Sequence, residues 1–379
     1  MKIAIDISQI VFQGSGIATY TTKLVENLLK IDKQNHYILF ASSLRQQGII
    51  KDFYASLKDK KNTTLKLFPF PPLLLEKTWN QLHKVRLESL IGSVDVIHTS
   101  DWLEPPSHAP KVTTVHDLIV YKYPDSFTKR GGHDIVKNQK RRFELVKKES
   151  TLIMADSIDT KNDLVKILKI PASKIEVVYL AAKDNFTVQL PAKINQVKKK
   201  YKLNRDYFLS VGSREPRKNL KGTLAAFANL ASKNQRIDLV IAGKYGWGED
   251  LKIETDLKSR IHLLGFVPDE DLPALYSGAV GFVYPSFYEG FGLPVLEAYQ
   301  ARCPVITSNR GSLKEVAGSG AILVDPEKID SIIKGMEKVI RFSASQRKAL
   351  IEKGLKQAEK FSWDKTARQV LSVYRKASS

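Results

Sequence analysis

The sequence predicts an α/β protein with two parallel sheets, each covered by helices on both faces. Short, strand-like apolar runs alternate with helical patterns along the chain, which is the pattern of parallel sheets. A polar, lysine-rich stretch at 193–206 separates two such series, so we expect a domain boundary within 190–205. A chain of 379 residues is long enough for each domain to have its own core.

The first half opens with a strand, a glycine turn and a helix. The helix at 18–30 has an apolar face, and another helix follows at 157–168. The predicted strands cover residues 2–7, 36–41, 65–70, 94–99, 112–115, 152–155 and 175–179.

The glycine turn contains Gly14, Ser15 and Gly16. A strand, a glycine turn and a helix start often hold a phosphate, but this pattern is weaker than the six-residue dinucleotide fingerprint. No acidic residue stands where a cofactor ribose would need one, so we predict no NAD site. A plain tight turn and a ligand contact explain Gly16 about equally well.

Polar residues follow two of the predicted strands. Ser100 and Asp101 come after the run at 94–99, and His116 and Asp117 after the run at 112–115. Ligands of open α/β sheets bind beyond the carboxyl ends of the strands, so His116 with Asp117 is a candidate catalytic pair. A histidine that only caps a helix or lies at the core edge fits the pattern equally well.

Two segments of the first half are candidates for contact with a partner. The apolar, proline-rich stretch at 69–75 excludes a regular helix before Leu73. It fits a core-packed loop, which we favour, or an exposed patch for a partner or a membrane. A helix within 129–148 presents either a solvated charged face or a basic docking surface. Its basic residues are Lys129, Arg130, Lys137, Lys140, Arg141, Arg142, Lys147 and Lys148.

The second half repeats the alternation, with strands at 207–211, 239–242, 261–267 and 280–284 and a helix at 220–231. Arg214, Arg217 and Lys218 crowd the turn between the first of these strands and that helix. Positive charge is costly there unless an anion neutralises it, so the turn is a candidate anion site. A basic surface loop is the alternative.

The stretch at 284–302 combines a strand end, a glycine-rich turn and a helix with acidic residues. Gly290 and Gly292 end the strand, and Pro294 suits the first turn of a helix whose unpaired amides attract anions. At about 1.5 Å per helical residue, Glu289 and Glu297 lie roughly 12 Å apart at most. A glycosidase pair needs roughly 5 to 9.5 Å, so a long ligand with an anionic middle, such as a nucleotide diphosphate sugar, fits better. An ordinary strand, turn and helix is the alternative.

The composition narrows the classes of partner. A net charge of +20 and a pI of about 9.7 favour an anionic partner without selecting nucleic acid, anionic lipid or a phosphorylated substrate. The single cysteine, Cys303, excludes an internal disulfide. Asp6 interrupts the first apolar run, unlike a signal peptide, and no apolar run reaches the roughly 18 residues of a membrane span. We expect a soluble or peripheral protein.

A set of motifs resembles the retaining glycosyltransferases of family 4, glycosyl transferases group 1. They are VHD at 115–117, VGSREPRKNL at 211–220, AGKYGWG at 242–248, LGFVPDEDLPALYSGA at 264–279 and SFYEGFGLPVLEA at 286–298. The resemblance implies the GT-B fold, in which Rossmann-like domains at 1–190 (acceptor side) and 191–360 (donor side) face each other across a cleft. The last segment, 361–379, is similar to the family's final helix, which crosses back to the first domain.

The resemblance also implies roles for site residues. Glu289 would hold hydroxyls of the donor sugar, Glu297 would hold the ribose, and Lys218 would neutralise the diphosphate. Many members carry an arginine directly after the Val-Gly motif, where this chain has Ser213. Arg214 or Arg217 would take the place of that arginine. The remaining donor-site residues that the resemblance implies are Gly16, His116, Gly290, Phe291, Gly292 and Leu293.

The resulting expectation is a retaining glycosyltransferase that moves a mannose- or glucose-type hexose from a nucleotide diphosphate sugar to a polysaccharide or glycolipid hydroxyl. His116 and Glu289 would orient the sugar while Lys218 stabilises the leaving diphosphate. We expect no cofactor besides this donor and no metal, since the Asp269 and Asp271 pair precedes a helix that it is expected to cap.

The expected location is the cytoplasm, with peripheral binding to the inner face of the membrane through 129–148 and 68–75. An epimerase or a phosphorylase on the same fold is one alternative. A basic nucleic-acid-binding protein is another, but the sequence contains no recognition helix, finger or stacking motif for it. We therefore expect nucleotide sugar and a saccharide or lipid-linked saccharide, and no nucleic acid, as partners.

Overall fold

A computed structural model describes residues 1–127, 133–233, 236–246 and 251–379, and the chain forms two compact units. The first unit contains Met1–Lys122, His133–Leu180 and Ser362–Ser379, and the second contains a short segment that begins at Tyr123 and Ala181–Phe361. The main segment of the second unit therefore begins ten residues before position 191. Asn185 Nδ2 donates to the carbonyl of Asp269 at 3.3 Å, and Gln189 N donates to Ser277 Oγ at 3.1 Å.

The first unit is built on a seven-stranded sheet of order β3-β2-β1-β4-β5-β6-β7. All pairings described are parallel, so the carboxyl ends of the strands lie along one edge. β3 ends at Phe68, two residues earlier than predicted, because Pro69 has no N–H for the ladder. The strands are β1 (Lys2–Asp6), β2 (His36–Ser42), β3 (Thr63–Phe68), β4 (Val96–Ser100), β5 (Lys111–Val115), β6 (Ser150–Ala155) and β7 (Ile175–Val177).

Helices connect these strands, as a parallel sheet requires. A π-helix at Glu76–Gln81 and 3₁₀ turns at Ser8–Val11 and Ala172–Lys174 add to them. The α-helices are α1 (Gly16–Ile31), α2 (Gln47–Ser56), α3 (Pro72–Leu75), α4 (Glu88–Ile91), α5 (Ile119–Lys122), α6 (His133–Glu149) and α7 (Ile158–Leu168).

The second unit has a six-stranded sheet of order β10-β9-β8-β11-β12-β13, again parallel in all described pairings. Its strands are β8 (Asp206–Val211), β9 (Ile237–Ala242), β10 (Ile261–Gly265), β11 (Gly281–Tyr284), β12 (Val305–Ser308) and β13 (Ala321–Val324). Its helices are α8 (Pro191–Lys200), α9 (Leu220–Lys233), α10 (Leu272–Ser277), α11 (Leu293–Gln300), α12 (Gly311–Ala317), α13 (Ile329–Ile340) and α14 (Ala344–Ala358), with 3₁₀ turns at Pro124–Phe127, Pro216–Lys218 and Thr255–Leu257. The α/β class with two parallel sheets is confirmed. Trp247 and Gly248 of the AGKYGWG motif lie outside the described residues.

The last helix, α15 (Trp363–Ser378), packs on the first unit. The side chain of Tyr374 is hydrogen-bonded to His98 Nδ1 at 2.6 Å, and Thr366 Oγ1 donates to the carbonyl of Tyr179 at 2.6 Å. Burial lowers the pKa of His98 to about 3, so this histidine is neutral and tightly packed within β4. It connects the C-terminal helix to the sheet.

The proline-rich segment is partly buried and partly exposed. α3 begins at Pro72, one residue earlier than expected, because proline is tolerated at the first helical position. Leu75 and Trp79 lie in the core of the first unit, whereas Leu73 is 80% exposed and Leu74 is 49% exposed. The favoured prediction of a core-packed loop is therefore wrong for these two leucines.

The basic helix α6 is not a uniform charged face. Arg142 is buried, with Nη2 at 3.1 Å from Oε1 of the buried Glu104, and Arg141 Nη1 lies 3.4 Å from Oε1 of Glu76. Lys137, Lys147 and Lys148 are exposed, while Lys129 and Arg130 lie outside the described residues. Among the described helices, none is both long and apolar enough to cross a membrane.

Candidate active site

The order of the second sheet reverses between β8 and β11, and this switch point brings the predicted residues together. The chain that leaves β8 carries Arg217 and Lys218, and the chain that leaves β11 carries Glu289. In open α/β sheets a ligand binds outside the carboxyl ends of the strands at such a switch point. The second sheet therefore has a candidate site where the sequence predicts an anion.

Glu289 lies at the centre of this site and is 8% exposed. Its Oε2 forms a close ion pair with Arg217 Nη1, and its Oε1 accepts from the Tyr284 hydroxyl at 2.6 Å and lies 3.9 Å from Lys218 Nζ. Burial alone would raise the pKa of Glu289, but Arg217, Lys218 and the Tyr284 hydroxyl together hold it below its ordinary value. The carboxylate is therefore ionised at neutral pH.

Lys218 is held by the same tyrosine. Its Nζ donates to the Tyr284 hydroxyl at 3.1 Å and lies 5.3 Å from the centroid of that ring. Gly212, with a φ of +128°, makes room for it, since a Cβ there would lie 2.4 Å from Lys218 Nζ. The glycine after β8 is therefore needed both for its backbone conformation and for the position of the ammonium group.

Protein carboxylates neutralise part of the positive charge of the β8 turn. Arg217 Nε donates to Glu215 Oε2 at 2.8 Å, and the Ser213 hydroxyl donates to Glu215 Oε1. Arg217 is the arginine that contacts Glu289, whereas the Arg214 guanidinium stacks at 5.3 Å on the ring of Tyr245. Glu215 and Glu289 thus balance only two of the three cations, so the turn keeps a net positive charge and stays a candidate anion site.

The turn after Glu289 leads directly into α11. Gly292 has a φ of +110° and is the N-cap residue of α11, where it has no side chain that could cap the helix. Phe291 packs at 5.7 Å against the ring of Phe361, and Leu293 is the first helical residue. The amides of this first turn and the positive end of the helix dipole form an environment for an anion.

The backbone just before that turn is fixed from the neighbouring helix. Ser312 Oγ of α12 donates to the carbonyl of Glu289 at 2.6 Å. A Cβ on Gly292 would lie 2.7 Å from Leu313 Cδ2, so α12 approaches the turn closely. Gly290 lies buried between these two fixed points.

Glu297 lies further along α11 and has a different partner. Its Oε2 accepts from the Tyr276 hydroxyl at 3.0 Å. Burial raises the pKa of Glu297 to about 7, although the Tyr276 hydroxyl and the charge of Lys183 act in the opposite direction. The two glutamates therefore differ in charge state, with Glu289 ionised and Glu297 half-protonated near neutrality.

In the first unit, His116 follows β5 and is oriented by an aspartate. Its Nδ1 lies 2.7 Å from Oδ2 of Asp156, which follows the neighbouring strand β6. Burial lowers the pKa of His116, but the charges of Asp156, Asp101 and Asp117 raise it by more. Asp117 Oδ1 accepts from the backbone of Ile119 at 2.9 Å, so the predicted partner of His116 caps α5.

Gly16 is the first residue of α1. The side chain of Ser15 caps this helix by accepting from the Ala18 amide at 3.1 Å, and Gly14 has a φ of +80°. The turn is therefore explained by helix capping, and a ligand contact of Gly16 stays a prediction.

The aspartates that precede α10 do not have the predicted capping role. Asp271 occupies the N-cap position without a side-chain capping bond, and its carboxylate instead accepts from Lys200 at 2.5 Å and from the Tyr201 hydroxyl at 2.9 Å. Asp269 pairs with Lys183 at 2.5 Å. Within the described ranges, no group of three or more histidine, cysteine or acidic side chains could hold a metal ion.

Three side chains that complete these arrangements are not among the predicted site residues. Tyr284 joins Lys218 to Glu289, Glu215 neutralises Arg217, and Asp156 orients His116. Asp156 could be found in the same way as His116, because both residues directly follow a predicted strand. The hydroxyl of Tyr284 carries no such signal, since a tyrosine at a strand end is usually a packing residue.

Two family models together match most of the chain. The model for glycosyltransferase family 4 matches residues 14–183, and the model for glycosyl transferases group 1 matches residues 192–357. A sucrose-phosphate synthase structure from Thermosynechococcus elongatus has a similar fold, with a TM-score of 0.72, 18% identity and coverage of 99% of this chain and 98% of that chain.

Two similar proteins are bacterial transferases. The O-antigen chain mannosyltransferase B of Escherichia coli is 31% identical over 385 residues, which cover 99% of this chain and 100% of that protein. The O-antigen chain mannosyltransferase RfbU of Salmonella typhimurium is 29% identical over 242 residues, or 60% of each protein. The chain therefore belongs to family 4 of the glycosyltransferases, glycosyl transferases group 1.

Proposed function

We propose that the protein is a retaining mannosyltransferase that moves mannose from a nucleotide diphosphate mannose to a sugar hydroxyl of a growing surface polysaccharide. The observation that carries the proposal is the cluster of Glu289, Tyr284, Arg217 and Lys218 beside the start of α11. The choice of mannose is supported by the full-length similarity to a mannosyltransferase of O-antigen chains.

In the proposed reaction the bond from mannose C1 to the diphosphate breaks, and a bond from C1 to the acceptor oxygen forms. The hydroxyl proton passes to the departing diphosphate. Negative charge grows on this leaving group, and Lys218 with the first-turn amides of α11 would stabilise it from fixed positions. Glu289, kept ionised by its cationic neighbours, would accept hydrogen bonds from hydroxyls of the donor sugar.

Retention would follow from attack on the same face of the sugar that the diphosphate leaves. Both carboxylate oxygens of Glu289 are already paired, one with Arg217 and one with Tyr284, which disfavours its use as a covalent nucleophile. A front-face reaction needs no such nucleophile.

The proposal is tested by a donor screen followed by product analysis. Guanosine, uridine and adenosine diphosphate sugars are compared by thermal shift, since a ligand at 100 times its dissociation constant stabilises by about 2.7 kcal/mol. The bound donors are then offered with oligomannosides, and the anomeric configuration of the product is read by NMR. Binding and transfer of mannose with retained configuration support the proposal. An inverted product, or transfer of another sugar in preference to mannose, overturns it.

We further propose that transfer requires no divalent ion. Lys218 and the helix start at Gly292 supply fixed positive charge for the diphosphate, and the Asp269 and Asp271 carboxylates are paired with lysines. The rate in excess EDTA should equal the rate without it. An Asp269→Asn, Asp271→Asn double variant should lose thermal stability more than activity. Loss of turnover in EDTA that magnesium or manganese restores would contradict this proposal.

We also propose that residues 72–86 bind an anionic membrane surface from the cytoplasmic side, where lipid-linked saccharides would be met. Leu73, Leu74 and the 55%-exposed Leu82 project from this segment, and the buried Leu75 and Trp79 fix it to the core. The segment also has exposed cations, namely Lys77, Lys84 and Arg86. Exposed leucines among cations suit insertion at a charged lipid interface, where each cation adds about 1 kcal/mol.

Vesicle flotation should recover the protein with anionic vesicles and less of it as salt rises. A Leu73→Ser, Leu74→Ser variant should lose most of the binding. Leu190→Ser is the matched control, because Leu190 is 76% exposed in the second unit and should not affect recovery. Equal recovery with neutral vesicles, or equal losses in both variants, would contradict the proposed surface.

A further inference from the structure

The first sheet also reverses its strand order, between β1 and β4, and Asp101 directly follows β4 at that point. Asp101 has a φ of +69°, a left-handed conformation that is uncommon outside glycine and occurs often at functional sites. Hydrogen bonds fix the backbone on both sides. Gln9 Nε2 donates to the carbonyl of Ser100 at 2.9 Å, and Gln139 Nε2 donates to the carbonyl of Asp101 at 2.8 Å.

Two polar atoms near this point are buried and have no hydrogen-bond partner among the described residues. They are Oδ2 of Asp101 and Nε2 of His116. Strands β4 and β5 are neighbours, with Ser100 opposite Thr114, so the residues that follow them lie at the same edge. Burying a polar atom without a partner costs about 1–3 kcal/mol, and native proteins rarely do so twice at one place without a use.

The chemistry of the two atoms selects the ligand. Asp156 fixes the ring of His116 through Nδ1, so a protonated His116 has Nε2–H as its remaining donor. Asp101 Oδ2 is an acceptor when ionised. An ionised phosphate has no proton to donate to Oδ2 of Asp101, and an ammonium group has no lone pair to accept from Nε2–H of His116. A neutral hydroxyl can accept from Nε2–H and donate to Oδ2, and it therefore pairs both atoms.

We propose that Asp101 and His116 form a subsite that binds one hydroxyl group of a saccharide substrate, with Asp101 accepting its proton in a hydrogen bond and His116 donating to its oxygen. The assignment rests on the proposed function insofar as a saccharide is the ligand. Asp101 is not among the site residues predicted from the sequence. In this proposal its left-handed backbone directs the carboxylate toward the hydroxyl group that His116 also binds.

The test compares Asp101→Asn and Asp101→Gly with the wild-type enzyme. Both replacements tolerate a left-handed backbone, so both keep the turn while removing the carboxylate. Asp95→Asn is the matched control, because Asp95 lies just before the opposite end of β4 and is exposed. Transfer is measured by initial rates with the donor and the acceptor varied separately. Folding is measured by Tm, and binding of the nucleoside diphosphate without a sugar is measured by calorimetry.

We expect both Asp101 variants to lose about ten- to a hundredfold in kcat/KM, the usual effect of losing a hydrogen bond to a charged group. Their Tm and their affinity for the nucleoside diphosphate should stay unchanged, and Asp95→Asn should behave as wild type. A rise confined to the acceptor KM assigns the hydroxyl to the acceptor, and a rise confined to the donor KM assigns it to the donor sugar.

Wild-type kinetics in either Asp101 variant would overturn the subsite. A loss of activity that follows a fall in Tm in both variants would give Asp101 a folding role and would also overturn it. If the wild-type enzyme transfers no sugar at all, the proposed function is wrong. The wild-type measurement shows this independently of the Asp101 variants.

Discussion

Replacing Lys218 by alanine should lower the rate of sugar transfer by about 10² to 10³, the usual loss when a preorganised electrostatic group is removed. The variant should stay folded. Glu289 keeps Arg217 and the Tyr284 hydroxyl as partners when the ammonium group is absent. Initial rates with a saturating nucleotide sugar measure the effect, and Tm verifies the fold.

The matched control is Lys221→Ala, which removes an exposed lysine one helical turn further along. It should have the wild-type rate. Near-normal turnover in a folded Lys218→Ala protein would remove the diphosphate role from Lys218. An equal loss in the control would show that the effect comes from net charge.

Glu289 requires a different substitution. Alanine at this position would leave the half-buried Arg217 without one of its two carboxylate partners, and an uncompensated charge of this kind is destabilising. Glu289→Gln also removes the charge, but it fills the same space and keeps one amide oxygen that can accept from Tyr284 or from Arg217. It should therefore destabilise the fold less than alanine does, with the same order of rate loss as Lys218→Ala, and Tm measures the part of the loss that comes from stability.

The sequence predicts the fold well because hydrophobic alternation is local. Strands β1, β5 and β8 lie where apolar runs of four to six residues predict them, and the helix after Gly292 begins within a residue of the predicted start. β12 and β13 are absent from the predicted strands, although Val305 and Ile306 are buried in the second sheet. The strand order itself is not encoded in any local pattern.

The sequence predicts single residues of the candidate site, but it does not predict the pairs that they form. Glu289, Lys218 and His116 follow the carboxyl ends of strands, which is where open α/β sheets bind their ligands. Their partners come from distant positions: Asp156 is 40 residues from His116, and Glu289 is 72 residues from Arg217. Such pairs depend on which strands become neighbours. For the same reason the sequence did not indicate that Asp271 would pair with Lys200, 71 residues away.

Replacing Glu297 by glutamine should make the protein more stable above pH 7 and should leave stability below about pH 4.5 unchanged. The pKa of this carboxyl is raised from 4.5 to about 7 by burial, so the folded state holds its proton more tightly than the unfolded state. The contribution of this carboxyl to the free energy of unfolding is therefore fully present below the pKa of the unfolded state. It is lost as the pH rises through the pKa of the folded state. A rise in pKa of this size lowers the free energy of unfolding at high pH by about 3 kcal/mol. Glutamine carries no charge and should restore this free energy.

Denaturant unfolding at pH 5 and at pH 8 measures the effect. The difference between the wild type and Glu297→Gln should be small at pH 5 and near its maximum at pH 8. Glu352→Gln, which changes an exposed glutamate of α14, is the matched control and should follow the wild type. A constant difference between Glu297→Gln and the wild type at both pH values would contradict the titration of Glu297.

The same titration should control donor binding if Glu297 holds the ribose. Two ribose hydroxyls need acceptors, and the ionised carboxylate supplies them on both oxygens, so the ligand binds the deprotonated protein. Affinity should therefore rise by about tenfold per pH unit below pH 7 and level off above it. A nucleotide sugar is the appropriate probe, because both of its phosphates are esterified and stay ionised over this range. Glu297→Gln should bind more weakly and with a flat pH profile. A wild-type affinity that does not change between pH 5.5 and pH 8 would exclude Glu297 from the ribose contact and would leave its raised pKa as a property of packing against Tyr276 alone.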